Sequence, residues 1–293
     1  MARAPLHGVS IGPGTLMLTA LVLVAFASNS LLTRVALGAR EIDAASFTSI
    51  RLVSGAVALA LVVRVQRGAW TAMRGRGAVG PLALFAYAAP FSFAYLRIGA
   101  AVGALVLFGT VQLTMIGYGI ARGERPSALA WTGIVLALLG FFALTLPSAS
   151  RPDAIGAALM MVAGVAWAVY TIAGRGAPDP IAANARSFLL SAPLALLVSV
   201  ASSSPGTASG RGIALALVSG AVTSGLGYAG WYLALPALSV TQAAVAQLSV
   251  PVIAAAGAVA LLSERMTGSL ALAGAAVLTG VALVLASATR RQS

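Results

Sequence analysis

The sequence predicts an all-α polytopic membrane protein of ten transmembrane helices in two inverted five-helix repeats, residues 1–148 and 149–293. Three observations carry this reading. The chain is 60% hydrophobic and only 8% charged, far from the averages of soluble domains. Its 293 residues have room for about ten spans of roughly 20 residues joined by short connections. A polar and aromatic pattern also recurs at a displacement of 140 to 141 residues.

Apolar runs bounded by Arg, Pro and Gly fall at about 14–34, 44–63, 78–96, 99–121 and 127–146, then 154–174, 181–201, 212–234, 240–262 and 267–288. The first run follows Arg3 and contains Ala25-Phe26-Ala27-Ser28, which imitates a signal peptide with its small-residue cleavage site. Val24-Ala25-Phe26-Ala27 with Arg34, however, recurs as Val165-Ala166-Trp167-Ala168 with Arg175, 141 residues on in both cases. A removable address would not be copied in mid-chain, so this run reads as the first span. The fourth and fifth runs hold Gly117, Glu124-Arg125 and Gly140, and the ninth and tenth hold Gly257, Glu264-Arg265 and Gly280, each displaced by 140. Because five is odd, consecutive halves enter the membrane from opposite sides, an arrangement that places a site at the repeat interface near the midplane. The connections are short except for the basic stretch Arg64 to Gly77 and the Ser/Gly/Pro-rich stretch Ser202 to Gly212, so no soluble domain is expected.

Eighteen Arg, no Lys and six acids give a net charge of +12. In a soluble protein that would suggest nucleic-acid binding, but too few charges remain to coat a globule, so the expected partners are a lipid bilayer and a small-molecule substrate, with no nucleic acid. The excess instead reports topology. The side of the N-terminus carries Arg3, Arg64, Arg67, Arg74, Arg76, Arg122, Arg125, Arg175, Arg290 and Arg291. The other side carries Arg34, Arg40, Arg97, Arg151, Arg211 and Arg265, with Arg51 and Arg186 left inside spans. Ten against six places both termini in the cytoplasm of a bacterial inner membrane. With no Cys and a single His in the tail, His7, neither thiol chemistry nor a metal or other cofactor is expected.

Gly117-x6-Glu124-Arg125-x14-Gly140 and Pro251-x5-Gly257-x6-Glu264-Arg265-x14-Gly280, with Arg51 in Phe47-Thr48-Ser49-Ile50-Arg51, resemble the drug/metabolite transporter superfamily with two EamA-type repeats. The likeness covers nearly the whole chain. It implies a cavity built by the first, third, fourth, sixth, eighth and ninth helices, with the fifth and tenth peripheral, and within the family it extends to a bacterial exporter of aromatic and other neutral amino acids. One departure is that Pro251 precedes its Glu by thirteen residues where the first repeat has Val111. The fourth helix is therefore expected to be straighter than the ninth.

Polar groups at membrane depth face protein or a water-filled cavity. On the third helix Tyr87, Phe91 and Tyr95 share one face, and on the eighth Ser224, Tyr228, Trp231 and Tyr232 do likewise. The first helix offers Phe26, Asn29, Ser30 and Thr33, and its repeat partner offers Trp167, Tyr170 and Thr171. The fourth and ninth contribute Gln112 and Gln247. The candidate substrate-binding set is thus Asn29, Tyr87, Tyr95, Gln112, Trp167, Tyr170, Tyr228, Trp231 and Gln247. Tyr95 and Trp231, near helix ends, read equally well as interfacial belt residues, and Asn29 and Gln112 as interhelical glue. Arg51 needs a partner inside the bilayer, either carbonyls or a helix end in a structural role, or a substrate carboxylate. Glu124 and Glu264 read as caps of the helices that follow them.

The combined reading is a facilitative exporter of small amphipathic solutes, with a broader metabolite or drug exporter as the near alternative. An intramembrane enzyme is a rival of a different class, but no His-Glu-x-x-His, paired membrane Asp or Ser-Lys arrangement is visible, so no enzyme is expected. A pore is the third. All six acids fall at loops or span ends, which leaves no titrating relay in a span core and predicts transport uncoupled from protons.

Overall fold

The computed structural model describes residues 11–68, 77–148, 153–202, 208–262 and 267–289. The Glu264-Arg265 pair and the tail with His7 lie outside them. The fold is all-helical. In order, the spans are Pro13–Gly38, Ala44–Arg67, Val79–Ala94, Ala100–Ala121, Ala128–Thr145, Ala154–Arg175, Pro180–Ala201, Gly210–Ala237, a ninth beginning at Val240, and Gly268–Thr289. Among the described residues nine of these are long and apolar enough to cross a membrane, and the third, Val79–Ala94, is shorter at 16 residues. At 1.5 Å per residue that third helix reaches about 24 Å, slightly less than a typical hydrocarbon core.

Most of the described helices begin where a side chain can satisfy free N–H groups, the first, third and fourth excepted. Asp43, Asp153 and Asp179 accept from the backbone of Ser46, Gly156 and Ala182, and Ser127, Ser209 and Ser239 cap the fifth, eighth and ninth spans in the same way. Three of the six acids therefore work as helix caps at the membrane surface, and they pair there with Arg only at the rim, as in Arg97–Asp153 and Arg67–Asp179. The outer surface is apolar, with Val65, Leu113, Val200 and Leu272 each at least 75% exposed. In water such a belt would be a liability, but it suits lipid chains.

Reciprocal contacts show that the repeats are inverted. A Cβ built on Gly133 would lie 2.6 Å from the Gly280 carbonyl oxygen, and one on Gly140 would lie 2.8 Å from that of Ala273. The partner number falls as the residue number rises, so the fifth and tenth helices run antiparallel, and the 140-residue displacement exchanges one contact for the other. Glycine here permits backbone contact between the two staves. The second and seventh helices pack the same way: Ser49 donates to the Ala195 carbonyl, and the Phe188 ring fills the space beside Gly55. The third helix lies on the sixth as the eighth lies on the first, and the fourth on the sixth as the ninth on the first.

Among the described residues, the ninth and eighth spans, both in the second half, depart from regular α-helical geometry within their length. The ninth is broken at Gln247-Leu248 between Val240–Ala246 and Ser249–Leu262. Pro251 has no N–H to give the Gln247 carbonyl four residues back, so that carbonyl takes the Val250 N–H at 3.0 Å, and the Gln247 side chain donates to the Ala243 carbonyl. The fourth helix, with Val111 in the corresponding place, is continuous over Ala100–Ala121, the asymmetry expected from Pro251. The eighth span contains a π-helical stretch, Ser219–Leu226. Such stretches are rare, and they re-aim side chains within a helix.

Candidate functional site

The first, third, sixth and eighth spans meet in a cluster of rings at the centre of the bundle. Trp167 stands 5.4 Å from Phe26, 4.8 Å from Tyr87 and 4.7 Å from Tyr228, centroid to centroid. Phe26 meets Tyr228 edge-on at 5.5 Å, and Tyr87 lies 6.4 Å from Tyr228. These spacings are in the favourable range for aromatic pairs. Phe26 and Trp167 are related by the 141-residue displacement, and so are Tyr87 and Tyr228. The box is therefore two repeat-related pairs around the axis that relates the halves.

The rings enclose a small cavity of about 30 Å³ walled also by Asn29, Ser30, Phe91, Phe108, Gln247 and Val250. Room for a water or so means that a larger guest must part the rings. Beside it a vestibule of about 660 Å³ shares Ser30, Phe91, Leu107, Phe108 and Val250 with the inner cavity. Its other walls include Arg34, Tyr95, Ala101, Pro147, Ala258 and Thr267, which lie at the span ends remote from both termini. The box is thus reached from the face opposite the termini.

The terminal face is sealed in two layers. Deeper, Tyr170 OH donates to Asn184 Oδ1, Asn184 Nδ2 donates to the Gly225 carbonyl, and Tyr232 OH donates to the Tyr170 carbonyl. At the rim Glu124 accepts the backbone N–H groups of Val240 and Thr241 at 2.7 and 3.0 Å and the Thr241 hydroxyl at 2.7 Å, and Arg175 stands 3.7 Å away. Glu124 therefore caps a helix, as its type and position suggest, but the helix is the ninth and not the fifth that follows it. The fifth is capped by its own Ser127, which leaves the carboxylate free to reach across the bundle.

Of the residues selected from sequence, Asn29, Tyr87, Trp167, Tyr228 and Gln247 line the inner cavity and Tyr95 lines the vestibule. The other three are not on these walls. Gln112 donates to the Ala244 carbonyl, fastening the fourth helix to the ninth. Tyr170 belongs to the terminal seal, and Trp231 is fully buried beside Thr171. Gln247 Oε1 accepts from Trp167 Nε1 at 2.5 Å, which fixes that indole. Asn29 Oδ1 accepts the Ser219 hydroxyl at 2.7 Å with the hydroxyls of Thr223 and Ser224 at 3.2 and 3.4 Å. The π-helical stretch brings these three hydroxyls to one amide oxygen.

Arg51 is 1% exposed and directly behind the box. Its partners are neither carbonyls nor a helix end: Nε donates to Ser224 Oγ at 2.8 Å and an Nη to Tyr228 OH at 2.5 Å. The guanidinium carbon lies 5.5 and 5.9 Å from the ring centroids of Tyr87 and Phe91. No carboxylate pairs with it among the described ion pairs, and Nη1 has no hydrogen-bond partner. Arg51 lies on the second helix, outside those expected to build the cavity, and the close approach of that helix to Gly220 joins it to Ser224.

A ten-helix inverted repeat around a central polar and aromatic cavity, closed on one face, defines a multi-pass membrane transporter. Comparison with known proteins agrees. The profile of the EamA-like transporter family matches residues 154–286, the second repeat. An uncharacterized protein of Pseudomonas aeruginosa is 50% identical over 272 residues, covering 93% of this chain and 94% of its own. Two uncharacterized transporters of Archaeoglobus fulgidus are 30% and 26% identical, covering 67% and 77% of this chain and 71% and 82% of theirs. A solved crystal structure shares the fold with a TM-score of 0.80 at 19% identity, over 92% of this chain and 96% of that one. The chain belongs to the EamA-like transporter family, within the drug/metabolite transporter superfamily.

Proposed function

We propose that the protein is a facilitative exporter of small amphipathic solutes, aromatic and other neutral amino acids first among them. It works by alternating access between halves 1–148 and 149–293. The observation that carries this reading is the aromatic box on the axis between the repeats, open towards one face and sealed on the other. Rings suit an apolar side chain, while Asn29, Gln247 and the tyrosine hydroxyls suit a polar head. A resemblance to the bacterial amino-acid exporter YddG supports the same substrate class. Rocking the halves about the axis would exchange the open and sealed faces, since inverted repeats offer two nearly equivalent end states.

The test is uptake into liposomes holding the purified protein, with labelled amino acids, nucleosides and cationic drugs. The expected result is saturable uptake and counterflow of tryptophan and phenylalanine, with no uphill accumulation under an imposed pH or sodium gradient. The described acids cap helices or pair with Arg at the membrane surface, so none stands in a span core as a relay. Uptake of nucleosides or drugs in preference to amino acids would favour the broader exporter, and accumulation abolished by an ionophore would refute uncoupled transport.

In the proposed orientation both termini are cytoplasmic in a bacterial inner membrane. Reporters fused after Gln292 and within Arg67 to Gly75 are expected to read cytoplasmic, and one in Ser203 to Gly210 periplasmic. The opposite pattern would invert the direction of export.

A further inference from the structure

The proposed exporter has a cation behind its cavity and no anion to match it. Arg51 is buried, holds two neutral hydroxyl partners and leaves Nη1 unpartnered. The residues it touches, Tyr87, Phe91 and Tyr228, are themselves walls of the inner cavity. Among the described residues Arg34 is the one charged residue on the vestibule wall, and no acid lines either space. The described acids are engaged elsewhere: Glu41 with Ser209 and Arg211, Asp43, Asp153 and Asp179 at helix N-termini, and Glu124 at the terminal seal. Among the described residues, the charged group closest to the box is therefore the Arg51 guanidinium, and low-dielectric walls strengthen its pull on an anionic guest.

We propose that the site selects its guest by a carboxylate, which enters when the rings part and takes the free side of the Arg51 guanidinium, so that the substrates are small carboxylates with an apolar or aromatic side chain and organic cations are refused. This deepens the exporter reading and rests on it. Arg suits the task because it stays charged and offers planar paired donors to a carboxylate. It is also asymmetric. The residue 141 positions after Arg51 is Ala192, so the symmetric box holds a single charge on one side of the axis, and a zwitterionic guest lies in it with one end fixed.

Four indole compounds separate the possibilities: tryptophan, indole-3-propionate, tryptophan amide and tryptamine. Their ring is shared, and only the first two carry a carboxylate. Binding is read from the thermal stabilisation of the purified, detergent-solubilised protein by each compound, followed by size-exclusion recovery after heating. This readout does not require transport. The expected result is stabilisation by tryptophan and indole-3-propionate at concentrations at least about tenfold below those needed for the amide and the amine, a gap of ~1.4 kcal/mol. In Arg51→Gln the gap should vanish, and in Arg51→Lys part of it should remain. Loss of discrimination is a result that a purely structural role for Arg51 would not produce. Equal stabilisation by tryptamine, no stabilisation by any of the four, or a gap kept in Arg51→Gln would each overturn the proposal. If Arg51→Gln does not fold, the wild-type series decides alone. Carboxylate-selective binding without liposome uptake would instead overturn the exporter reading while leaving the binding site standing.

Discussion

Replacing Gly220 by valine is expected to leave no folded, transporting protein. Any Cβ at this position would lie 2.0 Å from Ser54 Oγ, 2.2 Å from the Arg51 carbonyl oxygen and 2.7 Å from Arg51 Cα. Two of these atoms are backbone, so the second helix and the π-helical stretch would have to separate. Overpacking of this kind costs about 1–3 kcal/mol or more. Separation would also take Ser224 from Arg51, and a buried charge stripped of a partner costs about 3–5 kcal/mol. The sum is comparable to the whole stability of many proteins, about 5–15 kcal/mol. Gly109→Ala is the control, because a Cβ there meets nothing within 4 Å. Size-exclusion recovery after solubilisation should be near normal for the control and lost for Gly220→Val. Recovery of a monodisperse Gly220→Val protein with normal uptake would show that this contact does not hold the site together.

The second large effect concerns the terminal seal. Glu124 makes three hydrogen bonds to the start of the ninth helix and faces Arg175. Hydrogen bonds to a charged group contribute about 1.5–3 kcal/mol each, and their strength rises at a helix N-terminus. In Glu124→Ala the sealed arrangement should lose about 3 kcal/mol relative to the open one, a shift of roughly 100-fold in population. The chain contains no cysteine, so one introduced thiol reports accessibility without background. Met115, 1% exposed near the terminal end of the fourth helix and in contact with Gln247, is a suitable place. With Met115→Cys in both backgrounds, an impermeant maleimide applied on the terminal side should react at least about tenfold faster when Glu124 is absent. An unchanged rate would mean that the deeper layer of Tyr170, Asn184 and Tyr232 closes this face by itself.

The spans and their repeat are legible in the sequence because polarity along a helix is a local property and the bilayer enforces it residue by residue. The break near Pro251 follows for the same reason, since a missing N–H is a fact about one position. The cavity is harder to read. Phe26, Trp167, Tyr87 and Tyr228 stand out as intramembrane aromatics, but nothing local shows that they meet. Applying the 141-residue displacement to the third and eighth helices, as for the first and sixth, would have paired Tyr87 with Tyr228. Tyr170 and Trp231 share those faces yet lie off the cavity walls, because a helical face that turns to the bundle interior includes both cavity and packing, and the neighbouring helices decide between them. Arg51 and Ser224 could not be joined from sequence. Their contact depends on a π-helical register and on backbone contact at Gly220, both products of packing. Glu124 shows the reverse failure, in which the right chemistry was assigned to the wrong helix because sequence neighbours were preferred to spatial ones.

The contact between the fifth and tenth helices has a consequence for ancestry. Gly133 against Gly280 and Gly140 against Ala273 are the same contact made twice, with the partners exchanged by the repeat displacement. An interface in which one patch meets its own equivalent is the isologous kind by which identical subunits close into pairs. A half-length chain could therefore make this contact with a second copy of itself, provided that the copy lay upside down in the bilayer. Fusion would fix the stoichiometry and orientation of such a pair. It would then release each half to change alone, which is how a single Arg51, a π-helical stretch and one proline can stand in a framework whose helix contacts still recur across the two halves.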